Sequence, residues 1–150
     1  MKSCEVWLGV QIGLLAAIGL QDLQTRTIPN STLAAAALCG LPRLWHVGWT
    51  STMAGAGAGL ISFLALYAIQ GGAMGEADVK LAAVIGLYTG WPAVVTALAL
   101  GVVMGGLWAA AWLLLRRQRE FPYAPALALG AISVLLTDEV RLYETLLALG

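Results

Sequence analysis

Asp22 and Asp78 are the two residues of this chain whose type and setting suit them best to chemistry. Asp22 follows the apolar run Val6 to Leu20. Asp78 lies in "GGAMGEADVKLAAVIG" (Gly71 to Gly86), where Glu76, Asp78 and Lys80 alternate within an otherwise apolar stretch. Two carboxylates that face each other in a poorly solvated site cannot both ionise easily, so such a pair shares a proton. That state suits peptide hydrolysis: the ionised member takes a proton from water as it attacks, and the protonated member polarises the scissile carbonyl. Plainer readings stand beside this one. Acidic residues are favourable in the first turn of any helix, which would account for Glu76 and Asp78. Asp22 has Arg26 four positions on, the spacing of an ordinary helical ion pair.

Which reading applies depends on the elements that carry the two residues. The chain has 150 residues, 60% of them hydrophobic and 11% charged, with a mean hydropathy of +0.84. Soluble domains are about 25% charged, so the composition indicates an all-α polytopic membrane protein with a single domain over residues 1–150. Net charge is zero and the Lys and Arg residues are scattered, which excludes the dense phosphate neutralisation of a nucleic-acid binder. The only cysteines, Cys4 and Cys39, form no CxxC or Cys/His cluster, so no structural zinc site is expected, while a disulfide between them stays open; no metal or cofactor is expected. Met1-Lys2-Ser3-Cys4 and the apolar run behind it lack a clear small-x-small cleavage site, and read as a retained first helix rather than a signal peptide.

About six transmembrane helices are expected. A span needs about 20 residues, so the first helix continues past Leu20 through Leu23 and stops before Pro29, with Asp22 about a turn inside its end. Pro29-Asn30-Ser31 reads as a loop ending in an N-cap, followed by a short second helix from about Thr32 to Trp45, interrupted near Gly40 and Pro42. The third runs from about Thr52 to Gln70, with Gly55, Gly57 and Gly59 as a small-residue packing face. After Gly71-Gly72, the apolar run Val79 to Tyr88 makes only about 15 Å of helix, half of a roughly 30 Å hydrocarbon layer. The fourth helix is therefore predicted to start near Ala73 or Met74, which carries Asp78 about one turn in. The fifth runs from Pro92 to about Leu115 and ends at Arg116, Arg117 and Arg119. The sixth runs from about Ala124 to Leu136, and the tail 138–150 is either an interfacial amphipathic helix or its extension.

Six helices place the first, third and fifth loops on one side, with Arg26, Lys80, Arg116, Arg117 and Arg119. The other side holds Lys2, Arg43 and Arg141. The positive-inside rule puts the first set in the cytoplasm and both termini outside. Asp22 and Asp78 then fall at one depth on one side, where ionisable groups are costly and usually functional.

Three segments carry a resemblance. "DLQTRTIPN" (Asp22 to Asn30), "MGEADVKLAAVIG" (Met74 to Gly86) and "PYAPALALGA" (Pro122 to Ala131), in this order and separation, closely resemble the bacterial type IV prepilin peptidases, which are GxGD-type intramembrane aspartyl proteases. The resemblance implies that Asp22 and Asp78 are the catalytic aspartates. Gly75 matches the first Gly of GxGD, and Lys80-Leu81 match the KL that follows. Ala77 stands where the family usually has the second Gly, which tests whether that position needs close backbone approach or a non-helical φ. Pro29 and Asn30 are expected to shape the loop, and Glu76 to be a solvated loop acid. Lys80 either pairs with a carboxylate or snorkels to the interface, the ordinary role of such a lysine. The implied substrate is a prepilin or pseudopilin, cut on the cytoplasmic face of the bacterial inner membrane between a short basic leader and a hydrophobic helix. Many family members also methylate the new N-terminus and carry paired CxxC motifs. Here no CxxC occurs, so the resemblance is to the short peptidase-only form.

Two other classes compete. An ion-coupled transporter also builds sites from Gly- and Pro-broken helices with an acid at membrane depth, but it does not account for the IPN and LALGA segments. An inactive relative acting in pilus assembly would keep its function without the aspartates. Their removal separates all three.

Overall fold

A computed structural model describes the backbone of residues 2–46, 48–70, 74–116 and 122–148, and the side chains of these except at 2–5, 46, 112–113, 115–116 and 138–148. The fold is all-helical. Among the described residues there are six longer helices, a four-residue one and no strand: α1 (Lys2–Thr25), α2 (Asn30–Gly40), α3 (Arg43–His46), α4 (Trp49–Ile69), α5 (Glu76–Thr89), α6 (Ala93–Arg116) and α7 (Ala124–Ala148). Val6–Thr25, Trp49–Ile69 and Ala93–Ala111 are each long and apolar enough to cross a membrane, and Ala124–Thr137 is a shorter apolar stretch. The chain is a polytopic membrane protein.

In α1 the buried residues other than Gly19 are Gln11, Leu15, Ile18 and Asp22. Their spacing of four, three and four is one face of a helix, so the stripe that buries Leu15 and Ile18 also carries Asp22 inward. The helix ends after Thr25. Arg26 takes a positive φ of 52° while its N–H still bonds the Asp22 carbonyl at 2.9 Å. Pro29 then caps α2 with an extended backbone (φ −62°, ψ 139°), and its carbonyl accepts from Thr32 and Leu33 at 3.1 and 3.3 Å. Helix α2 thus begins at Asn30, not Thr32. It closes at Gly40, where a Cβ would run into Leu87 and Tyr88 of α5, and α3 is a separate turn.

Helix α5 lies in the middle of the bundle, touching α2, α4, α6 and α7. From Val79 to Thr89 every residue but Lys80 and Ala83 is buried. This overturns the start expected near Ala73 or Met74. Gly75 is extended (φ −73°, ψ 142°) and acts as the N-cap, so α5 begins at Glu76, and Asp78 sits in its first turn. Residues 71–73 lie outside the described residues. A length set by lipid does not apply to α5: its 14 residues give about 21 Å, and helices on several sides cover this short rod.

The glycines of α4 also differ from expectation. Gly55 and Gly59 are buried against α5, whereas a Cβ at Gly57 would meet nothing within 4 Å. Residues two apart point to different sides of a helix, so the packing face is the i, i+4 pair. At the C-terminal end, α7 is continuous through Ala148: it does not stop at Leu136, and the tail extends it.

Candidate active site

Three connections meet at one end of the bundle: the one after α1, the one before α5 and the one before α7. Their described residues border a cavity of about 670 Å³. Asp22 and Asp78 both line it, with Arg26 and Thr27 from the first connection, Gln70, Met74 and Gly75 from the second, and Pro122 and Tyr123 from the third. The described residues of the first, third and fifth loops between the six longer helices therefore converge, as alternation of the helices requires.

Asp22 is 8% exposed. Its Oδ2 accepts the Ala124 backbone N–H at 3.3 Å, one of the amides that the start of α7 leaves without an intrahelical partner. Just below, Gly19 lets α7 come close: a Cβ there would stand 3.2 Å from the Pro125 Cα. Asp78 is half-buried. Its N–H bonds the Gly75 carbonyl at 3.1 Å, and its carboxylate folds back over the same glycine, with Oδ2 3.5 Å from where a Gly75 Cβ would be. One pocket thus holds a buried, amide-bonded carboxylate from α1 and a more accessible one from α5.

Ala77 lies in the first turn of α5, half-buried against the core, and Arg26 is the only non-glycine residue with positive φ among the described residues. The second Gly of GxGD is therefore not needed here for backbone conformation, and Ala is the better helix former. Glu76 opens α5 and is not in a loop. Lys80 does more than snorkel: its Nζ donates to the Asn30 Oδ1 at 3.1 Å and lies 3.7 Å from Glu76 Oε2. Asn30 and Lys80 thereby tie the start of α2 to α5. The bond is exposed, so it should contribute no more than about 1 kcal/mol. Asn30→Ala is expected to lower thermal stability slightly and leave any activity within a few-fold of wild type, with Glu76→Gln closer still. A loss of tenfold or more in Asn30→Ala would show that this contact controls the cavity.

Tyr123 was not singled out from the sequence, although it stands in the PYAP segment just ahead of α7. It is half-buried, its ring packs against Gly105 of α6, and burial, then the nearby Asp78 carboxylate, push its phenol above the usual tyrosine range.

The type IV leader peptidase family matches residues 9–110. A "Prepilin leader peptidase/N-methyltransferase" of Bacillus subtilis (strain 168) is 34% identical over 152 aligned positions, which cover 94% of this chain. The chain spans about 60% of that relative's length. No solved structure matches significantly. The chain belongs to the type IV leader peptidase family. Its fold and its membership together define the class, a polytopic membrane protein of a peptidase family.

Proposed function

We propose that residues 1–150 form a single membrane-embedded aspartyl endopeptidase domain that removes the leader from a type IV prepilin or pseudopilin. The observation that carries the reading is that Asp22 and Asp78, from separate helices, line one cavity at the end of the bundle. With one proton between them, the ionised carboxylate takes a proton from water as its oxygen attacks the scissile carbonyl carbon. The protonated carboxylate hydrogen-bonds the carbonyl oxygen as it becomes anionic. Collapse of the tetrahedral intermediate breaks the C–N bond, and a carboxyl proton passes to the leaving nitrogen.

In sequence, Arg26, Lys80, Arg116, Arg117 and Arg119 lie in or beside the first, third and fifth connections, against Lys2, Arg43 and Arg141 elsewhere, which supports a cytoplasmic-facing site in the bacterial inner membrane. A substrate with a basic leader and a hydrophobic helix behind the scissile bond would enter there, with its helix in the bilayer. Hydrolysis alone is proposed. The Bacillus relative's name includes N-methyl transfer, but these 150 residues contain no CxxC pair.

The test is cleavage of a candidate prepilin in proteoliposomes, with the product identified by mass spectrometry. A mature pilin with a free, unmethylated N-terminus is expected, both with and without S-adenosylmethionine. No cleavage of any prepilin or pseudopilin offered would overturn the reading.

A further inference from the structure

The two aspartates supply a base and a single proton, yet the oxyanion of a tetrahedral intermediate accepts more than one hydrogen bond. The cavity wall offers further donors in Arg26, Thr27, Gln70 and Tyr123. Of these, Arg26, Thr27 and Gln70 are exposed at the rim and only Tyr123 is half-buried. Tyr123 is also the best held. A Cβ at Gly105 would come 2.6 Å from its Cε2 and 3.1 Å from its Cζ, so the ring occupies the notch left by that glycine. Its carbonyl accepts from Ala126 and Leu127 at the start of α7, and the next residue, Ala124, holds Asp22 through its N–H. One short segment thus touches Asp22 through its backbone and adds Tyr123 to the wall of the cavity that Asp78 also lines. A phenol kept protonated acts as a donor, and a clamped ring loses less conformational freedom on use than a long side chain does.

We propose that Tyr123 is a third catalytic residue, whose hydroxyl donates a hydrogen bond to the scissile carbonyl oxygen as negative charge develops there. This rests on the peptidase reading above.

The test is steady-state cleavage of a prepilin by wild type, Tyr123→Phe, Gly105→Ala and the double variant. Phenylalanine keeps the ring in the Gly105 notch and removes only the hydroxyl. The expected result is a fall in kcat of about 10²-fold for Tyr123→Phe, the scale of one lost oxyanion donor, with KM within about twofold. Gly105→Ala displaces the ring and should also lower kcat. Its effect should nearly vanish in the Tyr123→Phe background, because both changes remove the same interaction. A wild-type kcat in Tyr123→Phe overturns the proposal, and so does a rise in KM alone. If Asp22→Asn is inactive while Tyr123→Phe is fully active, only this inference fails. If both aspartate variants still cut, the underlying reading fails with it.

Discussion

Asp22→Asn and Asp78→Asn are each expected to reduce prepilin cleavage by roughly 10³-fold or more while the protein remains folded and in the membrane. General acid–base groups contribute typically about 10²–10⁴-fold, and here each carboxylate is asked to exchange a proton in every turnover. Asparagine suits the purpose because of what Asp22 touches. Its Oδ2 accepts the Ala124 N–H, and an amide oxygen can accept the same bond. The start of α7 therefore stays satisfied, and the loss of activity is not a loss of fold. A leucine at 22 would confound the two by leaving a buried N–H unpaired. At 78 asparagine keeps the shape of the side chain and gives up a favourable first-turn charge, worth about 0.3–1 kcal/mol. Because the two groups act as a unit, the double variant should be little worse than either single one. Glu76→Gln, on the same turn but exposed, is the control and should cut normally. Cleavage near the wild-type rate in either single variant would show that the pair is not the catalytic centre.

The largest effect on stability is expected from Gly86→Ala. Helices α4 and α5 meet backbone to backbone there. A Cβ on Gly86 would collide with the Gly55 carbonyl, and one on Gly55 would stand 2.5 Å from the Gly86 oxygen and 2.7 Å from the Gly90 carbonyl carbon. The obstacles are main-chain atoms of two packed helices, so no rotamer change relieves the contact. The helices must move apart, and α5 carries Asp78. Overpacking of this kind typically costs about 1–3 kcal/mol, and this site belongs at the upper end of that range. Gly57→Ala on the same α4 is the internal contrast, since nothing lies within 4 Å of its Cβ. It should be neutral, or stabilising by up to about 1 kcal/mol through helix propensity. Thermal melting in detergent separates the two: a Gly86→Ala protein that melts with wild type would mean that α4 and α5 do not pack as closely as described.

The features legible in the sequence were those that depend on short stretches of chain. Apolar length marked the spans of α1, α4 and α6. Pro29 marked the break after α1, because a proline restricts the residue before it wherever it occurs. Alternation of helices put both aspartates at the same end. Three motifs in order carried the family. Other features depended on what each helix meets, which no local pattern records. The start of α5 at Glu76 was misread because its apolar residues face other helices, and burial among helices allows a rod too short for lipid. Gly55 and Gly59 pack where Gly57 does not, because the neighbouring helix occupies only one side of α4. Lys80 finds Asn30, fifty positions away, and Tyr123 joins the cavity of Asp22 and Asp78, only when α2, α5 and α7 are brought together. The period and length of each helix are local properties of the chain. Which side chains share a cavity is decided when helices distant in sequence pack.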